Sequence, residues 1–128
     1  MGKRILLADD ESALRFLISE TLSDEGYEIV EAEDGASATE WLEGSAFDMA
    51  ILDYMMPEKT GVEICSILRE KEGPNRDIPV ILLTAKAQEK DRETAKSAGV
   101  DAYIVKPFSP LQLMDAVEEL LALHGKKG

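Results

Sequence analysis

The chain has 128 residues, of which 45% are hydrophobic and 31% charged, a composition typical of one globular domain and unlike that of disordered or fibrous proteins. Its 14 basic and 26 acidic residues give a net charge of −12, which disfavours direct binding to nucleic acid and suits cations. A single cysteine excludes an internal disulfide, and no apolar run approaches the roughly 18–20 residues that cross a bilayer.

Five short apolar runs alternate along the chain with segments of helical pattern. Most of the runs are continuously apolar, which is typical of parallel strands buried on both faces. Because right-handed crossovers place helices on both faces of such a sheet, we expect an α/β fold of five βα units. We expect the sheet to be open and doubly wound, with the strand order 2-1-3-4-5, and residues 1–128 to form a single domain. The predicted strands are Ile5–Ala8, Glu28–Ala32, Met49–Leu52, Val80–Leu83 and Ala102–Val105.

The first three segments between the strands carry apolar residues at the spacing of an amphipathic helix. We expect Trp41 to pack its helix against the sheet and Cys65 to lie in the core. The predicted inward-facing residues are Leu14, Leu17, Ile18, Thr21 and Leu22 in the first helix, Ala38, Trp41 and Leu42 in the second, and Val62, Ile64, Cys65 and Leu68 in the third.

The last two helices differ in how firmly they are expected to be held. A fourth helix at about residues 89–98 offers the core only alanines, so we expect it to bury little and to have low local stability. The fifth is predicted from about Pro110 to His124, with Leu113, Val117, Leu120 and Leu121 inward. Ser109 as N-cap, Pro110 at the first position and Gln112 as capping-box partner mark its start. His124 is expected to be solvated.

Polar residues stand at the ends of four predicted strands. In an open α/β sheet, ligands bind beyond the carboxyl ends of the strands near the reversal of strand order, here between strands 1 and 3. Asp9 and Asp10 follow strand 1, Asp53 follows strand 3, and Thr84 and Lys106 follow strands 4 and 5. Each residue alone can be interpreted as a helix cap, a turn residue or a solvated lysine. Their joint placement at one edge predicts a functional site.

Three carboxylates in one small site raise one another's pKa and oppose folding unless a cation neutralises them. Mg²⁺ prefers oxygen ligands and commonly combines one or two carboxylates with waters and phosphate oxygens. An aspartate is ionised near neutral pH and needs no general base to attack phosphorus. Since phosphoryl transfer requires mainly positioning and charge neutralisation, the pattern predicts Mg²⁺-dependent phosphoryl transfer.

The motifs at these strand ends resemble those of the receiver domains of two-component response regulators, and the resemblance covers essentially the whole chain. It is carried by the acidic pair Asp9-Asp10, by Asp53-Tyr54-Met55-Met56-Pro57 with Gly61, by Thr84-Ala85 and by Lys106-Pro107-Phe108. The resemblance implies a flavodoxin-like receiver fold. It also implies that the chain catalyses only its own phosphorylation and slow dephosphorylation, and is therefore not an enzyme acting on a separate substrate.

The resemblance implies a role for each of these residues. Asp53 is the phosphoacceptor; Asp10, Asp53 and the backbone carbonyl of Met55 bind Mg²⁺, with Asp9 assisting through water. Thr84 and Lys106 contact the phosphoryl group. Tyr103 matches the aromatic residue that turns inward when the threonine moves toward the phosphate, and the Lys106–Pro107 peptide bond is expected to be cis.

Two lysines depart from the commonest receiver pattern. Lys59 stands where an apolar residue is frequent, and Lys86 lies two residues beyond Thr84. Both add positive charge near the predicted site. We expect Lys86 to alter the lifetime of the phosphorylated form.

The resemblance implies partners of two kinds. A histidine kinase or a histidine phosphotransfer protein supplies the phosphoryl group, and a downstream effector protein or domain responds to the surface of helix 4, strand 5 and helix 5. We expect a cytoplasmic location, no membrane binding and no direct binding of nucleic acid by this chain. The oligomeric state is expected to be a monomer or a phosphorylation-dependent dimer.

Three alternatives stay open from the sequence. The chain is either a stand-alone regulator or the receiver of a larger DNA-binding or enzymatic regulator. A Mg²⁺-dependent phosphohydrolase with an aspartate nucleophile is disfavoured, because such enzymes place a second aspartate where Met55 stands. A flavodoxin-like electron carrier is disfavoured because Asp9, Asp10 and Glu11 would repel the flavin phosphate.

Overall fold

A computed structural model of the chain describes residues 2–85 and 88–127. Strands and helices alternate strictly along the sequence. The strands are β1 Arg4–Ala8, β2 Glu28–Ala32, β3 Met49–Asp53, β4 Val80–Thr84 and β5 Ala102–Val105. The helices are α1 Ser12–Asp24, α2 Gly35–Gly44, α3 Gly61–Glu70, α4 Glu89–Ser97 and α5 Pro110–Lys127.

The five strands form one parallel sheet in the order β2-β1-β3-β4-β5, which confirms the predicted α/β topology. Every residue of β3 and of β4 is buried, as expected for central strands covered on both faces. At the carboxyl edge, the register pairs Ala8 with Leu52, Asp53 with Leu83, and Thr84 with Val105. The ends of β1, β3, β4 and β5 therefore lie side by side.

The helices cover the two faces of the sheet, and each face has its own hydrophobic core. On one face, Ile18 and Leu22 of α1 pack with Leu113 and Val117 of α5 against the sheet. On the other face, buried residues of α2, α3 and α4 complete the core: Ala38, Leu42, Ile64, Cys65, Leu68 and Ala95. The buried position of Cys65 confirms its predicted place in the core, and burial raises the pKa of its thiol to about 11.

Helix α4 is weakly anchored along its length, as predicted. Among its nine residues, all of them described, Ala95 alone is buried. Its carboxyl end is held differently, because Arg69 at the end of α3 donates hydrogen bonds to the Gly99 carbonyl at 3.2 and 2.8 Å. The same guanidinium pairs with Asp101 at 2.9 Å and donates to the Ile78 carbonyl at 2.7 Å. One side chain thus joins α3, the start of β5 and the segment before β4.

Three details differ from the sequence predictions. Leu17, expected on the inward face of α1, is 49% exposed. Trp41 is 39% exposed and lies in neither core; its ring meets Phe47 edge-on at 6.5 Å, with the Arg4 guanidinium 6.0 Å from its centroid. Helix α5 continues beyond His124 to Lys127, so that histidine lies within the helix and is partly buried. Ser109 caps the start of α5 as predicted, since its hydroxyl oxygen accepts from the Gln112 amide at 3.1 Å.

None of the helices in the described ranges combines the length and the apolar character that crossing a membrane would require.

Candidate functional site

The carboxyl edge of the sheet brings acidic residues from two strands together. Asp9 directly follows β1, and Asp53 is the last residue of the neighbouring β3. Asp9, Asp10 and Asp53 each offer one carboxylate oxygen, and these three atoms lie within 4.8 Å of one another. Asp9 and Asp53 are buried, whereas Asp10 is exposed. The three acids that the sequence placed at strand ends therefore form one cluster, open to solvent at Asp10.

Asp9 is the most perturbed acid of this cluster. One of its oxygens accepts a hydrogen bond from the Glu11 amide at 2.9 Å, while Oδ2 is buried and accepts none from the described residues. Burial raises the pKa of Asp9 to about 6, and the negative charge of Asp53 adds to that shift. The Glu11 amide and the positive charge of Lys106 act in the opposite direction. A buried carboxylate with an unsatisfied oxygen stabilises a bound cation or a proton.

Lys106, which follows β5, places its ammonium group against these acids. Its Nζ lies 3.1 Å from Asp53 Oδ2, 3.1 Å from Glu11 Oε1 and 3.7 Å from Asp9 Oδ2. Burial alone lowers the pKa of Lys106, but the hydrogen bonds to Glu11 and Asp53 and the nearby negative charges outweigh it and raise the pKa above the usual 10.5. The lysine is therefore fully charged at neutral pH. The Lys106–Pro107 peptide bond is cis, which confirms the prediction.

Thr84 and Tyr103 lie on the neighbouring strands β4 and β5 and are linked to each other. Thr84 is buried at the end of β4, and its carbonyl accepts a hydrogen bond from the Lys106 amide at 2.7 Å. Tyr103 in β5 is partly buried and hydrogen-bonds to the Thr84 side chain. Burial raises the pKa of Tyr103, and the bond to Thr84 partly offsets that shift. The threonine is therefore coupled to both the lysine and the tyrosine that the sequence singled out.

The loop after Asp53 is held by close backbone contacts. The Tyr54 carbonyl accepts from the Gly61 amide at 3.0 Å, and a Cβ at Gly61 would lie 2.5 Å from the Asp53 carbonyl oxygen. Only glycine permits that approach, which explains the Gly61 of the motif. The far side of the loop meets α2, where the Gly35 amide donates to the Pro57 carbonyl at 3.0 Å.

The two methionines of this loop differ from each other. Met56 is buried in the core, as expected for a packing side chain. Met55 is 60% exposed, so its side chain does not pack in the core. That exposure concerns the side chain alone; the predicted ligand at Met55 is its backbone carbonyl.

The arrangement fits a hard divalent cation. Carboxylate oxygens are the ligands that such ions prefer, and the unsatisfied Oδ2 of Asp9 is an acceptor that the described residues leave without a donor. One ammonium group beside three acids leaves net negative charge in a partly buried place. A bound cation would remove that repulsion, so the residues present can hold a divalent metal ion.

Two contacts in the site were missed by the sequence predictions. Glu11 was seen only as part of an acidic run, yet its carboxylate pairs with Lys106 across 95 positions of sequence. Arg15 of α1 donates to the Asp9 carbonyl at 2.6 Å and pairs with Glu31 of β2 at 3.0 Å, which fixes the start of the loop after β1. The spacing of apolar residues predicts that the residues in both contacts are exposed to solvent. No local sequence pattern could therefore have indicated these contacts.

Of the two lysines that depart from the receiver pattern, the structure describes Lys59 but not Lys86. Lys59 is partly buried in the loop after Asp53, and its backbone packs against Gly35. Lys86 lies outside the described residues, so its effect on the phosphorylated form stays a prediction.

The chain is similar to a known protein family and to individual proteins. The family model described as the response regulator receiver domain matches residues 5–118. The phosphate regulon transcriptional regulatory protein PhoB of Escherichia coli is 38% identical, over 98% of this chain and 59% of PhoB. The transcriptional regulatory protein ResD of Bacillus subtilis is 44% identical, over 92% of this chain and 48% of ResD. The chain thus spans about half to three-fifths of the length of these curated relatives.

Solved structures agree with the sequence relatives. A CheY-like response regulator receiver domain protein from Methanospirillum hungatei superposes with a TM-score of 0.93 at 29% identity, over 100% of both chains. The receiver domain of a sensor histidine kinase from Pseudomonas aeruginosa superposes with a TM-score of 0.86 at 30% identity, over 95% of this chain and 99% of that one. That receiver domain was solved with a magnesium ion coordinated in its active site cleft.

Proposed function

The chain belongs to the response regulator receiver domain family, and from that membership we propose that Asp53 accepts a phosphoryl group from a phosphohistidine of a partner protein. One observation carries the proposal. The Asp53 carboxylate lies 3.1 Å from the Lys106 ammonium and shares its surroundings with Asp9 and Asp10 at the carboxyl edge of the sheet. A nucleophile, a cation and two further acids meet there, as phosphoryl transfer requires.

The transfer is a displacement at phosphorus. An Asp53 oxygen forms a bond to phosphorus while the bond from phosphorus to the donor imidazole nitrogen breaks, and the bonding electrons return to the imidazole. Asp53 becomes an acyl phosphate. Lys106 pairs with the phosphoryl oxygens, and the Thr84 hydroxyl donates a hydrogen bond to one of them. Hydrolysis of the acyl phosphate by water resets the chain, so it does not act as an enzyme on a separate substrate.

We assign the metal of this reaction as Mg²⁺. Asp10, Asp53 and the Met55 backbone carbonyl would bind it directly, with Asp9 assisting through water. Bound there, Mg²⁺ would offset the charge of the carboxylates and of the phosphoryl group. The unsatisfied oxygen of Asp9 and the magnesium ion in the Pseudomonas aeruginosa receiver domain support this choice.

The response is proposed to pass through Thr84 to the surface formed by α4, β5 and α5. Thr84 hydrogen-bonds to Tyr103, so a displacement of the threonine toward the phosphoryl group withdraws a partner from the tyrosine. Helix α4 buries only Ala95 and can change position at low cost. A shift of this surface alters what a downstream effector meets.

Partners and setting follow from the same proposal. The donor is a histidine kinase or a histidine phosphotransfer protein, and the recipient is an effector protein or domain. The net charge of −12 argues against direct binding of nucleic acid by this chain. Because the chain spans only 59% of PhoB and 48% of ResD, both named as transcriptional regulatory proteins, a receiver within a larger DNA-binding regulator is the second candidate.

We further propose a single domain over residues 1–128, a cytoplasmic location without membrane binding, and a monomer or phosphorylation-dependent dimer.

Mass spectrometry of the intact protein tests the proposal. Incubation with Mg²⁺ and acetyl phosphate should add one phosphoryl group that mild alkali removes, and Asp53→Asn should abolish the addition. Asp77→Asn, which changes an exposed aspartate before β4, is the matched control and should be phosphorylated normally. Equal phosphorylation of Asp53→Asn and the unmodified sequence would refute the assignment of Asp53.

A further inference from the structure

We propose that Glu11 is a positioning residue for Lys106, which it holds at the mouth of the site before phosphoryl transfer and releases to the phosphoryl group afterwards. The inference rests on the proposed function and adds a residue to it. Its basis is the ion pair between Glu11 Oε1 and Lys106 Nζ at 3.1 Å, the outer of two equally short contacts that the ammonium makes.

The backbone of Glu11 is fixed while its side chain is turned to the lysine. Its amide donates to Asp9 at 2.9 Å, and its carbonyl accepts from the Arg15 amide at 2.9 Å. Glu11 occupies the N-cap position of α1, yet its carboxylate makes no capping bond to the described amides of that helix. The shorter side chains that favour N-caps accept hydrogen bonds from the first turn of the helix. Here the carboxylate extends across the site entrance instead.

Because Lys106 lies between Glu11 and Asp53, it can exchange its ion pair with Glu11 for one with a phosphoryl group on Asp53. Its side chain is 17% exposed, whereas that of Glu11 is 63% exposed. The inner contact, to Asp53, is shielded from water, and the outer contact, to Glu11, is screened by it. A phosphoryl group on Asp53 carries about −1.5 to −2 charges near neutral pH and offers three acceptor oxygens. It therefore competes for the same ammonium group and wins against a screened carboxylate.

The surroundings leave room for that exchange. An open recess of about 380 Å³ lies beside Lys106, lined by Glu11, Leu14, Pro107 and Phe108. A Glu11 side chain that gives up the lysine can turn into this recess without entering the acid cluster. Glu11 thus sets how readily Lys106 reaches the phosphoryl group: it stabilises the resting form, and its loss should favour the phosphorylated form.

The test measures binding of beryllofluoride, a phosphoryl analogue, by calorimetry at saturating Mg²⁺. Glu11→Gln should bind the analogue about two- to fivefold more tightly, which is the range expected for loss of one partly exposed ion pair. Glu20→Gln removes the same charge from an exposed position of α1 and should bind like the unmodified sequence. In a Lys106→Met background, Glu11→Gln should change the affinity by less than the error, because Glu11 acts through the lysine.

The outcomes separate this inference from the proposed function. Unchanged or weaker binding by Glu11→Gln overturns the positioning role. A gain of the same size in the Lys106→Met background also overturns it, since Glu11 would then repel the analogue directly. If neither the unmodified sequence nor Glu11→Gln binds beryllofluoride at Asp53, the proposed function itself fails. Circular dichroism of each variant establishes that the comparison is between folded proteins.

Discussion

The guanidinium of Arg92 in α4 lies 4.8 Å from the ring centroid of Tyr103 in β5. This cation–π contact joins a helix with one buried residue to the tyrosine that hydrogen-bonds to Thr84. Arg92 therefore links the weakly held helix α4 to Tyr103, and through Tyr103 to Thr84 at the site. The contact stabilises the present position of both groups.

Arg92→Ala should lower the free energy of unfolding by about 0.5–1 kcal/mol, the usual value of an exposed cation–π contact. Alanine keeps the helix propensity, so the loss reports the contact rather than the helix. Lys90→Ala changes an exposed cation of the same helix and serves as the control. Urea denaturation measures both, and equal effects of the two substitutions would show that the contact with Tyr103 contributes nothing.

The pKa of Asp9 predicts how the metal-free protein responds to pH. Because the folded pKa is about 6 and the ordinary value is 3.8, the folded state binds a proton more tightly than the unfolded state. The stability that this group contributes is present at low pH and is lost as pH rises toward and through about 6. Between pH 5 and pH 7 the loss should be about 1 kcal/mol.

Asp9→Asn should remove the pH-dependent stability that Asp9 contributes. The difference in unfolding free energy between Asp9→Asn and the unmodified sequence, measured in EDTA, should change by about 1 kcal/mol between pH 5 and pH 7. Mg²⁺ should raise the melting temperature more at pH 7 than at pH 5, because protonated Asp9 no longer favours the cation. A difference independent of pH would contradict the raised pKa.

The contact between α2 and the loop after Asp53 depends on Gly35. A Cβ at Gly35 would lie 2.7 Å from both the amide nitrogen and the carbonyl oxygen of Lys59, so the loop must shift to admit it. Gly35→Ala should cost about 1–3 kcal/mol of stability and weaken Mg²⁺ binding. Gly44, at the other end of α2, has open space around it.

Gly44→Ala is therefore the matched control and should be neutral or stabilising by up to about 1 kcal/mol. Thermal melts and Mg²⁺ titrations of the two variants measure the contrast. Unchanged Mg²⁺ affinity in Gly35→Ala would mean that the loop shift does not reach Asp53.

Glu58, in the same loop, adopts a φ of 79°, the left-handed region that favours glycine. Glu58→Gly should raise the free energy of unfolding by about 0.5–1 kcal/mol, because relief of this strain exceeds the entropy that glycine loses on folding. Glu58→Ala removes the same charge and keeps the strained backbone. Equal stabilisation by Ala and Gly in urea denaturation would attribute the gain to charge instead.

The sequence was sufficient to predict the sheet and the place of the site. Continuous apolar runs fix buried parallel strands, and parallel strands end at one edge, so Asp9, Asp53, Thr84 and Lys106 had to converge. Their strand ends do lie side by side. The location of the site follows from the order of the strands along the chain, and the pattern of apolar residues predicts that order well.

Side-chain pairing across the chain could not be predicted in the same way. Leu17 meets the helical spacing of an inward residue, yet about half of its surface is exposed. The partners of Glu11, Arg69 and Arg92 are Lys106, Gly99 and Tyr103, each more than ten positions away in sequence or in another element. Such contacts depend on how the helices pack against the sheet, and local sequence patterns do not predict that packing.

The hydrogen bonds from Arg69 to the Gly99 carbonyl have a mechanical consequence for α4. These bonds hold the segment at the carboxyl end of the helix and would make it a hinge, while the amino end, at Glu89, carries no buried side chain. A nine-residue helix is about 13 Å long, so a tilt of about 10° about that hinge carries the amino end roughly 2 Å. In the proposed response, the helix would act as a lever that pivots at its carboxyl end.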